Sequence, residues 1–351
     1  MHGYLCSPGF EEALVTEMAG LGAAGGCRVV GPGLVTGPSL PPVDTDFVHA
    51  RHILPDIRWL TGASIRSLAR ASLDAVWPAL KALMTWRLDV FTLDTSPDLA
   101  ELERRAELLD SVIREEVLAR RRALHRVLGD DPTAPRLQVL LVDRDRAMVS
   151  LATPSRLSSG ATWPSPWIAG RAPVTEDRDA PSSAYRKLLE AFAWIGARPG
   201  PGDRVADLGA SPGGWSWVAV GLGATVVGVD KGAMDPRLLD DPAFRHERRD
   251  AFSWQPPDAP VDWLICDIIA DPTRSADLLV SWAKAHLFRS AIVHLKVMGA
   301  PRPDLAREVE AAVRAAGYAF ARTKQLRHDK NELTVMVREH LSPEPASAGA
   351  P

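Results

Sequence analysis

The chain has 351 residues, 46% of them hydrophobic, with 41 Lys and Arg against 44 Asp and Glu, a formal charge of -3 and a pI near 6.3. That length sustains two or three domains with their own cores, and the near-neutral balance excludes a globally basic nucleic-acid binder while leaving room for a local basic face. Three scattered cysteines, Cys6, Cys27 and Cys266, make neither a disulfide framework nor a C-x-x-C metal pair, and no run nears the roughly 20 apolar residues that span a bilayer, so the expectation is a soluble, cytoplasmic, unsecreted chain without membrane or metal.

Residues 2–6 read as a strand, Ser7-Pro8-Gly9 as a turn and residues 10–21 as a helix, with extended segments running on to residue 60; residues 1–60 form a small α+β module. From Ile65 the spacing of Leu68, Leu73, Val76, Leu80 and Leu83 predicts a helix with one buried face. A strand over 87–94, a long helical region over 97–128 and a hairpin over 136–152 complete a second α+β unit, set at 61–160. Within it Arg120, Arg121, Arg122 and Arg126 form a basic run that is either a phosphate-contacting surface or a solvated helix face. Pro154, Pro164, Pro166, Pro173 and Pro181, amid Ser and Gly, mark a linker or substrate-facing loop, with the linker itself set at 161–180. Trp163 and Trp167 are its candidates for stacking on an unpaired base, whereas Trp217 and Trp263 read as core. From residue 181 to 340, strands near 205, 225, 261, 291, 319 and 333 alternate with helices, the pattern of an α/β, doubly wound, mostly parallel sheet. The tail over 341–351 is expected to be disordered.

The strand ending at Leu208 runs into Gly209-Ala210-Ser211-Pro212-Gly213-Gly214-Trp215, a glycine-rich turn opening a helix. It matches the G-x-S-x-G pattern of a hydrolase nucleophile elbow, but the residue after Ser211 is Pro212, which has no N–H to give an oxyanion hole. It lacks the G-x-G-x-x-G of a dinucleotide site as well. Asp230 ends the run 225–230 about 20 residues on, where a carboxylate can accept from ribose hydroxyls; Asp250 and Asp267 repeat the pattern of acids at strand ends. A nucleoside-bearing cofactor is expected in that crevice.

Lys187, Asp267, Lys296 and Glu332 are placed to aim at the same crevice. Lys296 ends the apolar run 291–295, where burial disfavours an ammonium and favours a base; neighbouring Lys187 adds to that, and the acids oppose it. His294 and His328 are lone histidines with no partner at metal-ligand spacing.

The order Lys187, Asp267, Lys296, Glu332 around Asp207-Leu208-Gly209-Ala210-Ser211-Pro212-Gly213-Gly214-Trp215 resembles the Lys-Asp-Lys-Glu tetrad of FtsJ-like ribose 2'-O-methyltransferases, over residues 181–339. Ala180-Pro181-Ser182, Val229-Asp230-Lys231-Gly232 and His328 to Val335 are similar to the branch that methylates a cytidine ribose of 23S ribosomal RNA. More weakly, Cys6 to Glu11 and Ala50-Arg51-His52 are similar to that branch's front half, which carries a THUMP RNA-binding module. The resemblance implies a Rossmann-like methyltransferase domain, S-adenosyl-L-methionine as cofactor, ribosomal RNA as partner and a monomer. It makes Lys296 the general base, tuned by Asp267, Lys187 and Glu332, and lines the cofactor site with Gly209, Ser211, Pro212, Gly213, Gly214, Trp215, Asp230, Asp250 and Asp267. The chain departs from the family at Ser211, where cysteine is usual, and at Ala184, where a cofactor-touching serine is expected. Transfer RNA, another ribosomal site, or a noncatalytic RNA-binding role are the alternatives.

Overall fold

A computed structural model describes residues 1–340 apart from 24, 39–45, 96–97, 158–160 and 298–302. The tail over 341–351 lies outside the described residues. They divide into two compact units that part between Arg171 and Ala172.

In the front unit, β1 (His2–Leu5), α1 (Glu11–Gly20), β2 (Arg28–Gly31), β3 (Leu34–Gly37) and β4 (His52–Leu54) build an antiparallel sheet in the order β2-β3-β1-β4. Then come β5 (Arg58–Thr61), α2 (Ile65–Leu80), β6 (Arg87–Thr92), α3 (Leu99–Arg120), α4 (Arg122–Arg126), β7 (Arg136–Leu141) and β8 (Arg146–Ala152), with sheet order β5-β8-β7-β6. α2 begins where Ser64 and Ser67 cap each other's backbone, and Leu68, Leu73, Val76 and Leu80 face α3 and the sheet. Two short strands, β9 (Ser155–Arg156) and β10 (Thr162–Trp163), close the unit.

The expectation for the linker region changes here. Residues 161–171 of the expected linker pack into the front unit, and Trp163, 7% exposed among Tyr4, Leu14, Val35 and Phe47, is core and not a stacking platform. The basic run is also partly engaged, since Arg120 pairs with Asp74 at 2.6 Å and Arg121 donates to the Lys81 carbonyl.

The second unit runs α5 (Tyr185–Ile195), β11 (Arg204–Leu208), α6 (Gly214–Gly221), β12 (Thr225–Val229), α7 (Pro236–Leu239), β13 (Phe244–Glu247), β14 (Val261–Cys266), α8 (Pro272–Lys284), β15 (Phe288–Lys296), α9 (Pro303–Ala315), β16 (Phe320–Lys324) and β17 (Glu332–Arg338). They form a seven-stranded sheet in the order β13-β12-β11-β14-β15-β17-β16, parallel except for β17, which runs antiparallel to both neighbours. β13, with the polar sequence Phe-Arg-His-Glu, is an edge strand absent from the sequence expectation. The strand order reverses beside β11, so the carboxyl ends of β11, β12 and β14 open a crevice there. Antiparallel β17 brings its first residues to the same end, with Glu332 opposite Lys296 and Thr334 opposite His294. No described helix is long and apolar enough to cross a membrane.

Candidate active site

The glycine loop leaves β11 with its shape fixed by the protein's own packing. Gly209 (φ +81°) and Gly213 (φ +120°) sit where L side chains are strained. A Cβ on Gly209 would stand 3.0 Å from the Ile268 backbone, one on Gly213 2.2 Å from Leu238 Cδ1, and one on Gly214 2.3 Å from Ser182 Oγ. The loop is tied across the crevice too: Ser211 N–H and Gly232 N–H donate to the two oxygens of Asp230 at 3.2 and 2.7 Å, and Ser211 Oγ donates to the Ala233 carbonyl at 2.7 Å. Behind it Ser216 donates to buried Asp207 at 2.6 Å, whose carboxyl burial pushes up to about 7. Pro212 is exposed, whereas Trp215 is buried with its indole N–H on the Ala184 carbonyl at 2.9 Å. Asp250, after β13, takes Lys231 Nζ at 3.1 Å and the Phe252 N–H at 3.0 Å.

The two lysines and two acids meet in one network. Lys187, in the first turn of α5, donates to Glu332 Oε1 at 2.6 Å and lies 3.9 Å from Asp267 Oδ2. Lys296, at the end of β15, donates to Glu332 Oε1 at 3.1 Å and to Asp267 Oδ1. Burial opposes charge on both acids, yet the cations win: His294, Lys296 and Lys187 hold Asp267 well below the usual carboxylate range, and the two lysines hold Glu332 down at about 2. Lys296 is 9% exposed. Burial alone would lower its pKa, but Asp267 and Glu332 outweigh burial and raise it, so the balance that the sequence leaves open falls to the acids.

Both histidines have acid partners that their spacing in the sequence does not reveal. His294 is fully buried, with Nδ1 3.0 Å from Asp267 Oδ1 and Nε2 3.6 Å from Asp329 Oδ1, its ring edge-on to Trp215. His328 sits 2.7 Å from Glu190 Oε2, and that same carboxylate takes the N–H groups of Arg327 and His328. Asp329 accepts from Leu326 N–H at 2.9 Å and Thr334 Oγ1 at 2.8 Å, and burial pushes it up to about 7. These partners lie 27 and 35 residues from His294 in sequence, so only the sheet register joins them.

The donor set fits a sulfonium nucleoside. Asp230 keeps lone pairs beyond the two backbone N–H groups it accepts, and Asp230, Asp250 and Asp267 offer carboxylates suited to a ribose diol and to positive charge.

A doubly wound domain with this site is a methyltransferase domain: the profile of the FtsJ-like methyltransferase family matches residues 181–299. The chain belongs to the ribosomal RNA large subunit methyltransferase M family, since it is 30% identical over 349 residues to a member from Pseudomonas putida, covering 95% of this chain and 96% of that one. A member from Laribacter hongkongensis is 36% identical over 221 residues, and there the match spans 60% of each chain. With one from Halorhodospira halophila, 39% identical, the chain spans about half the relative's length, 52%. The crystal structure of TrmN from Thermus thermophilus aligns with 96% of this chain and 99% of its own at 19% identity and a TM-score of 0.34.

Proposed function

We propose that this chain transfers the methyl group of S-adenosyl-L-methionine to a ribose 2'-hydroxyl of RNA, a cytidine of 23S ribosomal RNA being the expected target. The observation that carries the reading is the meeting of Lys187, Asp267, Lys296 and Glu332 from four separate elements at the crevice end of the sheet. The names of the matched relatives, ribosomal RNA large subunit methyltransferase M, support the substrate class.

When bound, adenosylmethionine supplies a methyl on a good leaving group. The protein's task is alignment and removal of one proton. Gly209, Ser211, Pro212, Gly213, Gly214, Trp215, Asp230, Asp250 and Asp267 would hold and wall the cofactor. Neutral Lys296 would accept the hydroxyl proton at Nζ, and Asp267 and Glu332 then stabilise the ammonium that forms. Those acids make Lys296 a stronger base, but they also hold it charged, so turnover should rise with pH until the amine is free. Lys187 neutralises the second acid and keeps Glu332 oriented. The front unit, with residues 61–160 as a THUMP-like module, would hold the RNA.

The test is ribose-methylation mapping of ribosomal RNA from cells with and without this gene, followed by restoration of the lost mark with purified protein. Loss of one large-subunit mark is the expected result; loss of a transfer RNA mark, or of none, overturns the substrate.

A further inference from the structure

The tetrad poses a chemical difficulty that its four members do not resolve. A general base must be neutral to act, and two carboxylates hold Lys296 in its ammonium form. Glu332 is shared with Lys187, which donates to the same Oε1 atom that Lys296 contacts. Asp267 is shared in the same manner, but by a group outside the tetrad: Oδ1, which takes the Lys296 ammonium, also lies 3.0 Å from His294 Nδ1. Each acid oxygen facing Lys296 therefore has a competing donor.

We propose that His294 is a positioning residue for the reaction assigned above: by donating from Nδ1 to Asp267 Oδ1 it weakens that acid's hold on the Lys296 ammonium, and Asp329 anchors the imidazole from behind. The inference rests on the proposed reaction for its catalytic consequence, though not for its effect on Lys296.

The strand register makes the arrangement possible. His294 and Lys296 are two apart on β15 and share a face, with Thr334 and Glu332 opposite them on β17. Trp215 packs perpendicular to the ring, whose two nitrogens lie nearest Asp267 and Asp329. His294 Nε2 and Asp329 Oδ1 are both buried, face each other at 3.6 Å and have no hydrogen-bond partner among the described residues. The contact is at ion-pair distance, and one proton serves the pair. Whether it resides on the ring or on the carboxyl, the six groups Lys187, Lys296, Asp267, Glu332, His294 and Asp329 sum to zero charge, so this buried pair leaves no uncompensated ion. An apolar residue at 294 would leave Asp267 Oδ1 wholly to Lys296.

The experiment is a 13C NMR titration of Lys296 in the full chain, practicable because the chain has only seven lysines, alongside the pH profile of methyl transfer. Variants are His294→Leu, which removes both contacts, and His294→Asn, whose amide N–H reaches the place of Nδ1. In His294→Leu the Lys296 midpoint should rise by about one pH unit, and below that midpoint kcat should fall about tenfold while KM for adenosylmethionine changes less than twofold. His294→Asn should restore most of both. An unmoved midpoint in a His294→Leu protein that melts with wild-type cooperativity overturns the proposal, as does an Asn variant that behaves like Leu. If His294→Leu fails to fold, His294→Asn set against Asp329→Asn carries the test, the first keeping the Lys296 midpoint near wild type and the second keeping it only if its amide donates to Nε2; movement in both overturns the positioning role. A shifted midpoint in a protein that methylates no RNA would leave this proposal standing and overturn the assigned reaction.

Discussion

The two units contain the same device put to different ends. In the front unit Glu17, on α1, is buried and accepts the N–H groups of Val48 and His49 at 2.6 and 3.0 Å with the His49 ring at 3.2 Å. In the second, Glu190 on α5 is buried and accepts the N–H groups of Arg327 and His328 at 2.9 and 2.8 Å with the His328 ring at 2.7 Å. In each, a helix carboxylate pins a loop by two successive amides and an imidazole. The loop pinned by Glu17 leads into packed residues of β4, whereas the loop pinned by Glu190 carries Asp329 and leads into Glu332. A buried acid–histidine pair is therefore no functional signal by itself; what the loop carries decides. The charged clusters differ likewise. Asp89 with Arg87 and Arg136 forms a closed pair network inside the front unit, with Arg136 and Asp89 fully buried. Lys187, Lys296, Asp267 and Glu332 keep a margin of exposure at the open end of a sheet.

The sharpest way to break this contrast is to remove one cation from each cluster. Lys296→Ala should reduce methyl transfer by about a hundred- to ten-thousandfold, the range for loss of a general base, while affinity for S-adenosylhomocysteine measured by calorimetry stays near wild type. Arg136→Ala should instead cost about 3–5 kcal/mol of stability in urea titration, because it strips a partner from buried Asp89. Normal turnover by Lys296→Ala would reduce the tetrad to another structural ion network. Next in size, Glu17→Gln and Glu190→Gln should each lose about 1–3 kcal/mol, since an amide cannot accept the same set of donors and a buried N–H is left unpaired. Only Glu190→Gln should also lower kcat several-fold at a temperature where both variants are folded. Equal kinetic losses would mean that the two loops are not different in kind.

Lys187 was readable at a helix start, and Asp267 and Lys296 at the ends of apolar runs, where a parallel sheet collects side chains; Glu332 opens the last strand and reaches the same end because β17 runs antiparallel. Asp230 and the glycine turn were readable for the same reason, but the cause of the glycines was not: a gap meant for a ligand and a close approach of Ile268, Leu238 or Ser182 look identical in a sequence. His294 reads as a lone histidine because its partners are remote in the chain and meet it only through the pairing of β15 with β14 and β17. Trp163 misled in the opposite direction, since Pro and Ser around it signal a surface loop while the front unit buries it. β13 escaped because an edge strand needs little apolar patterning, and its residues Phe244 to Glu247 carry only one apolar side chain.

A last contrast concerns acids alone and separates the anchor of the glycine loop from the acids of the tetrad and from Glu17. Glu17 is held below its ordinary value because His49 and the backbone donors outweigh burial, so its contribution is present above the ordinary carboxylate range and is lost as pH falls through its lowered folded value. Asp207 is the reverse case: burial raises it to about 7 with only Ser216 to oppose, and among the described residues no cation pairs with it. An unfolded aspartate titrates near 3.9, so between roughly pH 4 and 7 the folded chain binds the extra proton and stability declines as pH rises, by up to about 1.4 kcal/mol per pH unit for this group. Asp329 in the same unit and Asp89 in the front unit are held up in the same direction, which makes the slope of the wild-type chain a sum over both units. The variant isolates one component. Asp207→Asn keeps the shape and the acceptor for Ser216, cannot ionise, and should flatten the decline between pH 4 and 7 in urea titrations while leaving the acid side, governed by Glu17, Asp267 and Glu332, as it was. An unchanged slope would mean that Asp207 is ionised in the fold, and the glycine loop would then be anchored by a buried charge instead of a neutral carboxyl.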